Sequence, residues 1–514
     1  MDVFLDILKI FGRSVFVVFF FGFSIFIHEF GHLLAAKWRQ LHVERFSIGF
    51  GKPLWKWRKW NIDFLVSMLP FGGYVALPQL DPTDTPVTES GEKLPAIKPV
   101  DRIIVAFAGP LFNIGFGLFL GVFIWVFGVM GRPPADSFVI ASIPETYVDS
   151  KGLNQSNPEF EVLQPGDEVV AINGQEFHNG ARQAFEMIVY APAGKVTLDI
   201  IRDGSKLQAS YVPAKNAQFE GLGFPFFTAV RPPIVGGILK GSAAEAAGIQ
   251  AHDVLVEING QKIVDQDFLT NELQLAEGAP VTLKILRPDH TDHTDHTDHT
   301  DRKRKEKNYK EIIIENVQAV LTKRPDGKMY YLLGVDWRMR LCPSPVRQLQ
   351  DVVVRTYRTL HGLFDRANHI RPKHLMGPVG IAQNLYNIVR YSLMTALSFV
   401  VLINFSLALL NLFPLPVLDG GHITSAIIQI IIRRTIPTRL AVRLQYGCFF
   451  LLIGLMLYIT FYDVMRLTRS TPMRSKTGTS EPATKENGNA PAGDPAAEDP
   501  TPAPPGELPA EAAP

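Results

Sequence analysis

A chain of 514 residues is longer than one compact core usually holds, so several domains, or a membrane region carrying soluble modules, are expected. The formal net charge of +1 argues against a polyanionic partner, and no nucleic acid is expected. The hydrophobic fraction of 46% is ordinary but unevenly spread, and the two cysteines, Cys342 and Cys448, form neither a disulfide framework nor a zinc pair.

The first element is an apolar stretch over residues 15–36 behind Lys9 and Arg13, long enough to span a bilayer. It ends in His28-Glu29-Phe30-Gly31-His32 and not in a small-residue cleavage site, so it is read as a retained span. Helix positions i and i+4 are ~40° apart, which lets His28 and His32 bind one Zn²⁺ from one face, with Glu29 beside them as general base. Ionisable side chains inside an apolar span are costly, so the cluster reads as functional.

Seven cations follow (Lys37, Arg39, Arg45, Lys52, Lys56, Arg58 and Lys59), and a second span is expected over 103–130. Arg433, Arg434, Arg439 and Arg443 stand between the last two spans, so both basic loops are expected to be cytoplasmic. Both termini and the stretch 132–390 then lie on the other side, with Arg466, Arg469, Arg474 and Lys476 running against that arrangement.

Residues 137–340 read as two copies of one module. Leu163-Gln-Pro-Gly-Asp-Glu-Val-Val-Ala-Ile-Asn-Gly174 and Ala247-Gly-Ile-Gln-Ala-His-Asp-Val-Leu-Val-Glu-Ile-Asn-Gly260 each carry a turn with Asp167 or Asp253, an alternating strand and an Asn-Gly turn. The pattern resembles the PDZ domain, which implies a groove for an extended peptide in each copy. Leu222, Gly223 and Phe224, and Leu333, Gly334 and Val335, match the peptide-facing strand of circularly permuted PDZ domains. The His-Thr-Asp repeat 289–301 reads as a solvated extension or a weak metal binder. Val346, Leu349, Val353, Tyr357, Leu360 and Phe364 form one helical stripe, expected to lie on the membrane or under a module.

Further apolar spans are expected over 392–418 and 444–462. Pro414 and Pro416 break the first of them just before Asp419, and broken backbone at membrane depth is tolerated only where it is buried or lines a wet cavity. Asp419 is therefore the candidate third ligand that a catalytic zinc needs beside an open position. Beyond 475 the composition predicts disorder.

The chain resembles the site-2 protease family of intramembrane zinc metalloproteases, and within it the RseP subgroup (regulator of sigma-E protease). His28-Glu-Phe-Gly-His32, Arg45-Phe-Ser-Ile-Gly-Phe-Gly51, Leu69-Pro-Phe-Gly-Gly-Tyr-Val75, Ala108-Gly-Pro-Leu-Phe-Asn113, Gly377-Pro-Val-Gly-Ile-Ala382 and Asn411-Leu-Phe-Pro-Leu-Pro-Val-Leu-Asp-Gly-Gly-His422 stand in the family's order over about residues 1–468. The resemblance implies one Zn²⁺ per chain on His28, His32 and Asp419, with Glu29 catalytic. It also implies a re-entrant β-hairpin over 62–76 that presents substrate as an extended strand, with Gly72, Gly73 and Tyr74 at the contact. Asn113 and Asn411 match positions that handle substrate or the oxyanion. Ser406 stands where many relatives have a second Asn, and Asn404 is ~200° away around a helix, so it is no substitute.

The expected fold class is thus a polytopic α-helical membrane protein, with four transmembrane helices and a re-entrant β-hairpin, carrying two inserted circularly permuted PDZ domains of mixed β/α structure. The expected domains are a catalytic membrane region over residues 1–131, PDZ domains over 137–230 and 231–340, a linker helix over 341–391, a second catalytic membrane region over 392–468 and a tail over 475–514. The expected function is cleavage of single-pass membrane proteins, typically anti-sigma factors, in the bacterial inner membrane, with the lipid bilayer as the other partner. A silent PDZ scaffold with a structural zinc is the alternative, and an intact Glu29 favours the enzyme because a structural site needs no general base. The oligomeric state is not legible.

Overall fold

The computed structural model describes residues 2–80, 86–191, 194–288, 309–323, 327–365, 367–434 and 437–469; the His-Thr-Asp repeat and the tail from 475 lie outside the described residues. In chain order, α1 (Asp2–Trp38) leads through strands β1 (Arg45–Lys59) and β2 (Ile62–Ala76) to α2 (Pro99–Phe127). The modules contribute α3 (Gly180–Val189), α4 (Ala243–Ala246) and α5 (Gln266–Leu275). They are followed by α6 (Pro345–Phe364), α7 (Pro378–Val389), α8 (Leu393–Asn411), α9 (Asp419–Ile432) and α10 (Thr438–Arg469).

Four stretches are long and apolar enough to cross a membrane: Leu8–Trp38, Pro99–Phe127, Leu393–Asn411 and Thr438–Thr468. The third ends seven residues before the expected boundary at 418, because Pro414 and Pro416 cannot continue the hydrogen-bond ladder. After that break α9 has 14 residues, about 21 Å of helix, too short to cross a ~30 Å hydrocarbon layer.

These helices pack through small residues. A Cβ on Gly31 would sit 2.5 Å from the Ala108 carbonyl oxygen, so α1 and α2 approach closely only because that position is glycine. Arg39, just past α1, donates to Asp101 in the first turn of α2 at 2.6 Å and ties their ends together. Asn404 on α8 is fully buried and donates to Ser24 on α1 at 3.0 Å, so its amide is used to hold two helices together. Leu120, Ile124, Val400, Val401 and Phe405 fill the seam between α2 and α8.

The strands β1 and β2 fold on one another with several register breaks. Arg45 to Ile48 stands beside both Asp63 to Val66 and Ala76 to Gly73, while Trp55 to Lys59 pairs with Val66 to Ile62. The result is a small sheet with Gly73 to Ala76 at one edge and Trp55 to Lys59 at the other.

Each module has its own apolar core, the first around Phe138, Ile172 and Leu198, the second around Leu255, Ile258 and Leu283. Their equivalence is atomic. Asp167 and Asp253 are buried and each takes two bonds from one arginine, Arg202 at 2.7 and 2.7 Å and Arg287 at 2.8 and 2.8 Å. Asn173 and Asn259 both adopt φ of 51°, and each accepts from a strand threonine, Thr197 or Thr282.

The expected apolar stripe of α6 divides. Leu349 packs against α2 and α8 together with Val352, which lies outside the stripe, while the stripe residues Val346, Val353, Tyr357 and Phe364 stay exposed. On another side Arg355 meets Glu186 of α3 at 3.2 Å and Thr359 donates to Tyr190 at 3.2 Å, so α6 lies between the membrane helices and the first module.

Candidate metal centre

Acceptor atoms of three residues, from two distant stretches of the chain, converge in a buried space. His28 Nε2 is 3.2 Å from His32 Nε2 and 3.2 Å from Asp419 Oδ2, and His32 Nε2 is 3.3 Å from Asp419 Oδ1. The two rings come from one face of α1, as the i, i+4 spacing requires, and Asp419 opens α9 directly after the proline break. Gly420 and Gly421 permit that placement, since a Cβ on either would strike the carbonyls of Leu412, Phe413 or Leu415.

The donor set fits zinc. Ligands ~2.0–2.1 Å from a tetrahedral ion stand about 3.3 Å apart, which is the spacing seen here. Unprotonated imidazole nitrogens and a carboxylate repel one another at that range unless a cation or proton lies between them, and Asp419 Oδ2 is buried without a hydrogen bond. The only His/Cys/Asp/Glu cluster of this kind among the described residues is His28, His32 and Asp419.

Neighbouring groups hold the rings. His32 Nδ1 lies 2.8 Å from the Val105 carbonyl oxygen, which fixes the proton on Nδ1 and leaves Nε2 free for a metal. Asn113 stands behind His28, with its amide 3.3 Å from Nδ1, whereas Asn411 stands in front, 3.3 Å from Nε2. Turned so that its oxygen accepts from His28 Nδ1–H, Asn113 would satisfy Oδ1, which is otherwise buried and unpaired.

Glu29 is half-buried, and the edge of the β-sheet runs beside it. A Cβ on Gly73 would lie 3.1 Å from Glu29 Cγ and 2.8 Å from the Ser47 carbonyl oxygen. Tyr74 stacks on Phe50 at 6.2 Å, and Gly72, at φ 106°, lies under the same ring. The side chains of Leu69, Pro70 and Phe71 are outside what is described.

The candidate groove residues have surroundings that differ between the modules. Gly223 is 3.1 Å, at Cβ, from the His369 ring, and the space between it and α3 is nearly closed by Ala367, Asn368 and His369 of the same chain. In the second module a cavity of about 520 Å³ opens beside Val335, lined also by Leu239, Gln266, Trp337 and Arg338. There Leu333 and Gly334 already accept backbone bonds from Ala244 and Leu239.

Sequence reasoning missed Gly109. A Cβ there would collide with the His32 ring and come within 2.9 Å of His28 Cε1, so the Ala-Gly-Pro run of α2 makes room for both imidazoles. It also missed Asp463, whose buried carboxylate accepts from Gly377 at 3.0 Å and Gly380 at 2.8 Å and so accounts for the Gly-Pro-Val-Gly motif.

The sequence pattern of peptidase family M50 matches residues 16–455. Among relatives, the regulator of sigma E protease of Haemophilus influenzae is 26% identical over 461 residues, covering 86% of this chain and 96% of that protein. A Neisseria meningitidis protein whose name contains the words zinc metalloprotease is 28% identical over 476 residues, with the same two coverages of 86% and 96%. The regulator of sigma-E protease RseP of Salmonella typhimurium is 26% identical over 425 residues, 78% of this chain and 87% of that one.

Proposed function

Because the chain belongs to peptidase family M50, and is a zinc metalloendopeptidase, we propose that it cuts single-pass membrane proteins within or beside the bilayer, with anti-sigma factors as the substrate type. His28, His32 and Asp419 hold the zinc in this reading, and the observation that carries it is their mutual spacing of 3.2 to 3.3 Å. When bound, zinc supplies a water acidic enough to attack a peptide carbonyl at neutral pH. Glu29 takes up the proton that this water gives off and returns it to the departing amine nitrogen. Asn411, on the metal side of His28, donates to the oxygen on which charge develops, and Asn113, on the far side of the ring, orients it.

Substrate enters as an extended strand along Gly73 to Ala76, in a re-entrant sheet. A helical segment must unwind before its carbonyl reaches the metal, and strand pairing replaces the hydrogen bonds it loses. The closeness of Gly73 to Glu29 supports this entry. The two modules act as circularly permuted PDZ domains outside the cytoplasm. The 520 Å³ cavity beside Val335 favours the second as the one with room for peptide.

Metal content and cleavage measured on purified variants test the centre. Glu29→Gln retains zinc and loses proteolysis, by several orders of magnitude, while His28→Ala, His32→Ala and Asp419→Ala lose the metal as well. Full proteolysis by the Glu29 variant would remove Glu29 as the general base, whereas a zinc-loaded wild-type protein that cuts no single-pass substrate would leave a silent scaffold with a structural zinc as the reading.

A further inference from the structure

Four of the chain's six tryptophans, Trp38, Trp55, Trp57 and Trp60, fall within 23 residues, all in or next to the β1–β2 sheet. Trp55 is 70% exposed and Trp60 63%, and every residue from 51 to 61 is exposed. The aromatic rings form a continuous path. Trp55 lies 5.9 Å from Trp57, Trp57 stacks on Phe64 at 5.3 Å, Phe64 meets Phe46 at 5.6 Å, and Phe46 meets Phe26 of α1 at 5.8 Å. An apolar face thus runs from a membrane-spanning helix out to the edge strand Trp55 to Lys59, where nothing in the described chain covers it.

The same hairpin is strongly cationic. Lys52, Lys56, Arg58 and Lys59 on the hairpin, joined by Lys37 from the last turn of α1, outnumber the hairpin's one carboxylate, Asp63, which Lys56 and Arg58 already hold at 2.9 and 3.8 Å. Lys37 and Lys59 lie over the Trp60 ring at 4.1 and 4.7 Å, and Lys52 has no carboxylate partner among the described residues. Exposed indoles beside lysines whose stems are apolar and whose heads are charged are the chemistry of the bilayer interface. Several basic groups at that depth select anionic over zwitterionic headgroups, at about fivefold per cation, equivalent to about 1 kcal/mol.

We propose that residues 52–61 bind anionic phospholipid headgroups, and that this contact anchors the outer edge of the sheet while the opposite edge stands beside Glu29. The proposal rests on the membrane-spanning reading of α1, and it adds a named ligand class at a site outside the metal centre. Charge favours lipid over an acidic flank of the substrate as the occupant, because the cations sit at the edge farthest from Gly73, where substrate would pair.

The test uses the full-length, zinc-loaded protein in bilayers of one fixed mixture of phosphatidylglycerol and phosphatidylcholine, with brominated chains on either one lipid or the other. Bromine quenches nearby tryptophan, so the bulk bilayer is constant and only the identity of the neighbouring lipid is read. Quenching is expected to be several-fold stronger from brominated phosphatidylglycerol. The preference disappears when Lys52→Gln, Lys56→Gln and Lys59→Gln are combined, and survives when the same three become arginine. Zinc content of both triple variants reports folding. Equal quenching by the two lipids in a wild-type protein that still cleaves substrate overturns the lipid site and leaves the protease reading intact. A preference that survives in the glutamine variant also overturns it. So does loss of binding to an acidic-flanked substrate in that variant with the lipid preference unchanged, which would make the hairpin a substrate dock.

Discussion

Gly109 shows how much of the metal centre depends on an atom that is absent. Because a Cβ there would strike the His32 ring, Gly109→Ala should push one ligand out of place while leaving every ligand present. Zinc affinity is expected to fall by about 10- to 100-fold, the range for disturbed support around a metal, as measured by metal content at buffered free zinc. Gly115→Ala, with nothing within 4 Å of its Cβ, is the control and should hold zinc normally. Glu159 is a second residue with a sharp expectation. It is buried in the first module, accepts from Phe226 and Phe227 at 2.9 and 3.1 Å, and lies beside Tyr211, with Glu159 Oε1 and the Tyr211 hydroxyl left unpaired. Burial raises its pKa to about 7, and once protonated Oε1 donates a hydrogen bond to that hydroxyl. Since the folded pKa is above the unfolded one near 4.5, the stability it contributes is complete below 4.5 and is lost as pH rises through about 7, on the order of 3 kcal/mol at most. Hydrogen exchange at Phe226 and Phe227, corrected for intrinsic rate, should therefore show protection falling between pH 5 and 8. Glu159→Gln should flatten the curve, and a flat wild-type curve would contradict the account.

Among the elements, the two modules share their Asp–Arg and Asn–Thr contacts but not their surroundings. The chain's own Ala367 to His369 closes the space beside Gly223, and His369 lies 3.0 Å from the Pro213 carbonyl oxygen, whereas the space beside Val335 is open. An extended photo-crosslinking peptide should accordingly mark Val335 and Gln266 and leave Gly223 unmarked. Crosslinking confined to the first module would reverse the assignment. A clasp below that module joins it to the last helix. Arg466 of α10 donates to Glu220 at 2.8 and 3.0 Å, and this neighbour lowers the Glu220 pKa. Arg466 also reaches Asp463, whose other bonds hold the start of α7.

For the whole molecule, the topology proposed from lysine and arginine placement has the loops 37–100 and 419–443 in the cytoplasm and the modules outside. A cysteine at Gly260 should then react only with reagent added from outside intact cells, and labelling only from the cytoplasm would invert the arrangement. The modules fall between the second and third spans in sequence, and in the proposed topology they lie on the side from which a bulky substrate domain would approach. Replacing 137–340 by a short linker should let untrimmed substrate be cut and preserve cleavage of the trimmed form. A folded, zinc-loaded deletion protein that cuts neither would make the modules recruiting elements instead of a size filter.

The apolar stretches, the module repeat and the Asp419 candidate were legible in sequence because each is a local signal: uninterrupted hydrophobicity, strand alternation with Asn-Gly turns, prolines before an acidic residue. The i, i+4 histidine pair is local too, since one helix sets its geometry. Tertiary structure alone decided which groups stand behind and before His28, why Gly31, Gly73 and Gly109 lack side chains, and that the third helix stops at Asn411. It also decided that Asn404 faces Ser24 and that the space beside Gly223 is lined by the chain's own Ala367 to His369. The cations at 52–59 were read only as a topology signal, because their alliance with a tryptophan face depends on how two strands fold back on each other. Sequence spacing reports what one element can present; which atoms meet depends on contacts between residues as far apart as His28 and Asp419, and those are properties of packing.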